Sequence, residues 1–130
     1  MPNPLLLDIV TFLMSKGVVK GDGIDAFRDF TPESPDSLVV LHEYKGDPAV
    51  PYEPCVHRSV QIVARDKSAD VARQRALAIF KLLSTDNRIV TFTPDRWGQV
   101  YLRQPPFKLE QDKNDRVSYC FNIGITTTIE

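Results

Sequence analysis

The sequence has no surplus of either charge, only two cysteines, a single tryptophan and no long apolar run. A formal net charge of −1 argues against a dedicated nucleic-acid binder, which carries a basic surplus or stripe. No apolar stretch approaches the roughly 20 residues needed to span a bilayer. The first apolar run, PLLLDIVTFLM, lacks a positive leader, contains Asp8 and precedes no small-residue cleavage site, so no secretory signal is expected. Cys55 and Cys120 allow at most one internal bridge, and without a secretory context free thiols are expected. Internal repeats, low-complexity segments and domain boundaries are also absent. What remains is an ordinary globular balance, 42% hydrophobic and 25% charged over 130 residues, and it predicts one domain spanning 1–130.

The densest local signal runs from Arg58 to Leu83. In RSVQIVARD, Val60, Ile62 and Ala64 point one way while Gln61 and Arg65 point the other, the period of a half-buried strand. In KSADVARQRALAIFKLL, Ala72, Ala76, Ile79 and Leu83 form one helical stripe with Phe80 beside it. Ser68 stands at the N-cap position and Asp70 in the first turn, where a carboxylate suits the helix dipole. On the outward side, Arg73, Leu77 and Lys81 are candidates to face a neighbouring subunit.

Upstream, residues 4 to 16 read as a helix with Asn3 as cap, Pro4 at the first helical position and Gly17 as terminator. Its polar face is narrow, only Asp8, Thr11 and Ser15. A helix apolar on so many sides must be covered on more than one of them. Either loops of its own domain cover it, or part of it, around Leu6 and Val10, meets another subunit. Residues 18 to 36 read as an acidic, solvated connector. Its Asp22-Gly23 lacks the ligand alternation of a calcium loop. Ser37 to Lys45 is a strand covered on both faces at its start, with His42 as a packed or hydrogen-bonded residue. The segment GDPAVPYEPC, with prolines at 48, 51 and 54, is a stiff extended loop whose Tyr52 either plugs the core or contacts a partner.

Downstream, Thr85-Asp86-Asn87 reads as a turn and Arg88 to Thr93 as a strand. Trp97-Gly98 then reads as a turn, Gln99 to Arg103 as a short strand, and Pro105-Pro106 as a break. Trp97, Tyr101 and Phe107 either cap the core or act as interface anchors, a role in which aromatics and arginines excel. Arg116 to Ile129 is the clearest strand, alternating Val117, Tyr119, Phe121, Ile123 and Ile125 with small or polar residues. The expected fold is α+β, a mainly antiparallel or mixed twisted sheet with two helices packed on one face.

Chemistry is sparse. Cys55 and His57, two apart at a strand start, point the same way and could be read as nucleophile and base of a small intracellular enzyme. No glycine-rich elbow or oxyanion donor accompanies them. As metal ligands they lack further partners at useful spacing. No catalytic residue, metal or cofactor is therefore expected.

Tyr44 to Pro48 (YKGDP), the following YEPC, the run VQIVARDKSADVARQRALAIFKLL and the strand SYCFNIGI together resemble the minor capsid or tail-terminator proteins of long-tailed bacteriophages. The resemblance spans most of the chain. It implies a structural, non-enzymatic virion protein, assembled in the host cytoplasm, that forms a homohexameric ring on the tail tube. Such a ring stops tube polymerisation and offers a docking surface to the head connector. A neighbouring head–tail joining protein, of the neck or completion type, is the alternative. In a ring reading the contact residues are Leu6, Val10, Tyr52, Leu77, Lys81, Trp97, Tyr101 and Phe107. Asp112 and Asp115 would face a channel through which DNA passes without being held, and no membrane is involved.

Overall fold

A computed structural model describes residues 4–45, 55–84 and 88–128. The expected Asn3 cap, the proline-rich loop with Tyr52, and the Thr85-Asp86-Asn87 turn lie outside them. The described elements are α1 (Leu5–Ser15), β1 (Ala26–Arg28), β2 (Leu38–Tyr44), β3 (Cys55–Asp66), α2 (Ala69–Leu83), β4 (Ile89–Thr93), β5 (Arg96–Leu102), β6 (Phe107–Gln111) and β7 (Val117–Thr128). One curled sheet has the order β1-β2-β3-β7-β5-β4, with β6 also paired to β7. Among the described strand pairs only β1–β2 is parallel, so the sheet is mixed. The fold is α+β with both helices on one face, as the patterning predicts.

The ladder at the centre joins β3 to β7 from Cys55↔Thr128 to Asp66↔Val117 without a register shift. Both strands alternate apolar and small or polar residues, so a one-residue slip would turn each core face to solvent. The inner face (Val60, Ile62, Ala64, Phe121, Ile123, Ile125) packs against Leu5, Ile9, Leu13, Ala76, Ile79 and Leu83 of the two helices. Phe80 meets Phe121 edge to face at 5.4 Å. Each fully buried aliphatic side chain of this layer contributes about 1.5–3 kcal/mol. Ser68 caps α2 by accepting from Val71 N at 3.4 Å, and Asp66 Oδ1 accepts from Ser68 N at 2.9 Å.

The structure departs from the sequence reading in five places. In α1, Pro4 stands at the cap position without a side-chain cap. Asp8, expected on its polar face, is buried and accepts from Arg96 Nε at 2.7 Å. Trp97-Gly98 is not a turn but the interior of β5. A Cβ on Gly98 would lie 2.8 Å from the Phe92 ring and 2.9 Å from Ile125, so glycine is there for close approach.

The connector is also more than a solvated loop. It contains β1, and its 32–36 segment is clasped by Arg65 and Arg116, which are 6% and 5% exposed. Arg65 donates to the carbonyl oxygens of Pro32, Glu33, Pro35 and Asp36, while Arg116 reaches the Glu33 carbonyl and the carboxylates of Glu33, Asp36 and Asp112. Beneath this segment a second cluster (Phe27, Leu38, Val40, Val63, Cys120) is buried on the outer sheet face. Finally, β5 and β6 lie end to end along one edge of β7. β5 pairs with 123–127 and β6 with 117–120, and the Arg103–Pro106 break separates them.

Candidate assembly surface

Strand alternation decides what the outer sheet face displays. On β5, Arg96, Gly98 and Val100 turn inward, and Trp97 and Tyr101 turn outward, 43% and 39% exposed. Thr91 of β4 lies opposite Trp97, and Ile89, also exposed, lies opposite Gln99. Phe107 of β6 lies opposite Cys120 on the same outer face and is exposed, as is Leu109. The structure therefore gathers Trp97, Tyr101 and Phe107 on one face.

From Tyr101 across β7 to β3 runs a groove of about 340 Å³ lined by His57, Ser59, Tyr101, Arg103, Gly124 and Thr126. Three strands bring these together: Gly124 pairs with Ser59 on one side and Tyr101 on the other, and Thr126 with His57 and Gln99. His57 Nδ1 is 2.7 Å from Thr126 Oγ1. Arg103 lies across Gly124, where a Cβ would come within 3.2 Å of its guanidinium. It donates to Ser59 Oγ at 3.0 Å and Tyr44 Oη at 3.4 Å. Both acceptors are neutral hydroxyls. Elsewhere Arg28, Arg58, Arg73, Arg75, Arg96 and Arg116 each face a carboxylate. Arg88 stacks over the Tyr101 ring at 5.7 Å.

The opposite, helical side carries the other expected contacts. Leu77 is 38% exposed on α2, with Lys81 and Arg73 on the same outward side. Leu6 and Val10, expected at a subunit contact, are 4% and 0% exposed within the chain's own core. The rest of the fold, notably the β4–β5 hairpin on which Phe92 packs edge to face with Phe12 at 5.7 Å, covers that helix.

Asp112 and Asp115 build the β6–β7 turn. Asp112 Oδ1 accepts from Asn114 N and Arg116 N at 2.9 and 3.0 Å, and its Oδ2 accepts from Arg116 Nε at 2.8 Å. Hydrogen bonding to the Arg116 amide, above all, holds the Asp112 carboxyl below its ordinary 3.8, against the opposing effect of desolvation. Burial works against the Arg116 charge, but the Asp112 hydrogen bond and the surrounding carboxylates outweigh it and raise its pKa. Burial and then Arg116 lower that of Arg65. Asp115 is exposed and adopts a left-handed φ of 60°, which Asp tolerates better than most residues.

Cys55 and Cys120 are free. Cys55 lies opposite Thr128 and Cys120 opposite Val63, eight rungs apart on one ladder, so they cannot bridge. Burial pushes the Cys120 thiol up from its ordinary 9.0. Among the described residues no three His, Cys, Asp or Glu side chains come together as metal ligands would. No described helix is long and apolar enough to cross a membrane.

Arg103, Ser59 and Gly124 were invisible in the sequence reading, because only the register of three strands joins them. The aromatic outer face, the outward α2 stripe and the rigid two-layer scaffold define a structural α+β module. The family model described as bacteriophage tail terminator protein matches residues 12–129, and the chain belongs to that family. It is a structural protein of the phage tail and so a component of the virion. No curated relative matches the sequence.

Proposed function

We propose that the protein closes as a homohexameric ring on the head-proximal end of the tail tube, halts tube polymerisation, and presents the surface on which the head connector docks. The family match over residues 12–129 carries this reading. The surface supports it. A closed ring uses a head-to-tail contact, so each subunit must offer two different patches. Leu77 and Lys81 on the helical layer form one, and Trp97, Tyr101 and Phe107 on the outer sheet face form the other. Tyr52 is proposed as a further contact.

DNA passes through the ring without being gripped, in keeping with a net charge of −1. Asp115 is proposed to line the channel. Asp112 accompanies it there but is also committed to its own turn, so the channel is tested by Asp115→Lys alone. That variant should form rings and impair DNA passage; unchanged infectivity would remove Asp115 from the channel.

The reading is tested by negative-stain microscopy of the purified protein mixed with tail tubes. Rings at tube ends are the expected outcome. A protein that ignores both tubes and connectors overturns the reading.

A further inference from the structure

We infer that the ring contact seats the Asp70 carboxylate of one subunit in the Arg103 groove of the next, with Leu77 laid on the Tyr101–Phe107 surface. The inference rests on the ring reading above and specifies its contact.

The groove calls for an anion. Arg103 is an exposed guanidinium held across Gly124, and its two acceptors, Ser59 Oγ and Tyr44 Oη, are uncharged. No carboxylate among the described residues is bonded to it. Arg is well suited to this task, because its planar fork keeps donors free after bonding two hydroxyls. The groove, at about 340 Å³, admits a side chain rather than a duplex. Arg58 nearby is already matched by Glu43. One cation with no carboxylate partner among the described residues, beside the Tyr101 ring, fits a protein carboxylate better than a phosphate backbone, which is gripped by several cations.

The second copy offers several carboxylates, and geometry separates those on the groove's own sheet face from those at α2. Glu110, opposite Ser118 on the groove's own sheet face, and Asp115 in the adjoining hairpin turn lie on the groove's side of the molecule. They would meet a neighbour's groove only face to face, which makes a two-fold pair and not a ring. Asp66 is engaged by the Ser68 amide at the foot of α2. Asp70 lies on the opposite layer, its side chain 79% exposed. Among the described residues its ion pair is the solvent-exposed contact with Arg73, at 3.1 Å, a kind of pair that holds a carboxylate only weakly.

Asp70 and Leu77 are seven residues apart, two helical turns, and so share the outward stripe of α2 at a spacing of roughly 10 Å. A carboxylate and a leucine at that spacing can meet Arg103 and the aromatic surface beside it together. Charge complementarity sets the register, while the apolar contact supplies area.

The test is charge reversal on intact protein with tail tubes, scoring the fraction of tube ends that carry a ring across protein concentration. Arg103→Glu and Asp70→Arg should each weaken capping about tenfold or more. The double variant carrying both should recover to within about threefold of wild type, because the pair is restored in reverse. Thermal melting of each variant checks that the fold is intact. Singles that cap like wild type, or a well-folded double no better than the singles, overturn the contact and leave the terminator reading standing. Rings that form normally with Arg103→Glu but fail to join connectors would assign the groove to another protein, and also overturn it. Wild-type protein that leaves tubes bare removes the terminator reading itself.

Discussion

Asp8 of α1 and Arg96 at the start of β5 form an ion pair at 2.7 Å with both side chains 5% exposed or less, 88 residues apart in sequence. It fastens the first helix to the hairpin that ends the sheet. Removing one member of a buried pair leaves its partner's charge uncompensated and costs about 3–5 kcal/mol. Asp8→Ala should therefore lose stability on that scale in urea unfolding. Replacing both members by apolar residues of similar volume should recover most of the loss. An Asp8→Ala variant within about 0.5 kcal/mol of wild type, the range of ordinary surface changes, would show that the pair does not hold α1.

The β6–β7 turn should report acid. Asp112 has a folded-state pKa below its ordinary 3.8 because its carboxylate accepts the Arg116 and Asn114 amides. Its stabilisation is therefore complete above the unfolded value, about 4, and is lost as pH falls through the lower folded value. Asp112→Asn should be less stable than wild type at about pH 6, and the gap should narrow by about pH 3. Urea midpoints of the two proteins at both pH values check this. A gap that stays constant would mean that Asp112 stabilises the turn without its charge.

Gly98 should resist any side chain. A Cβ there meets Phe92 at 2.8 Å and Ile125 at 2.9 Å, and Phe92 in turn packs on Phe12 of α1. Gly98→Ala should cost about 1–3 kcal/mol through overpacking. Gly124→Ala makes a useful contrast. The nearest atoms to its Cβ belong to the far end of the long Arg103 side chain, at 3.2 Å, so it should disturb stability less than the Gly98 variant. Urea unfolding of both variants gives the comparison.

The two thiols should differ sharply toward an aromatic disulfide reagent. Cys55 is half-buried, while Cys120 is buried with its pKa pushed up, so it stays protonated. In native protein Cys55 should react first and Cys120 only on opening. Arg65 clasps the 32–36 segment beside the cluster that holds Cys120. Arg65→Ala should therefore speed Cys120 labelling while leaving the Cys55 rate unchanged. Equal Cys120 rates in the two proteins would mean the clasp does not guard that cluster.

Elements governed by one local period were legible in the sequence. The α2 stripe of Ala72, Ala76, Ile79 and Leu83 and the alternation of β7 emerge as read, because burial on one face repeats along each element. Features set by distant partners were not legible. Asp8 reads as a polar-face residue until Arg96 is beside it. The 32–36 segment reads as solvated loop until Arg65 and Arg116 reach its carbonyls. Gly98 reads as a turn because the Phe92 ring that demands it lies on another strand. The candidate surface divides the same way. Leu77 stood out as an outward leucine and Trp97, Tyr101 and Phe107 as aromatics that either cap the core or anchor a contact, with the register of β5 and β6 deciding their outward placement, whereas the Arg103 groove exists only through pairing of β3, β5 and β7.

The position of β7 governs the order in which the molecule can be built. This strand, the last in the order, pairs with β3, β5 and β6 and forms the middle of the sheet. Until residues 117–128 are available, β3 lacks its longest ladder and the two helices have no complete surface on which to settle. Contacts of such long sequence separation slow folding. The native sheet thus cannot close before Val117–Thr128 has been made, and a chain stopped short of Val117 would lack the central strand on which α2 packs.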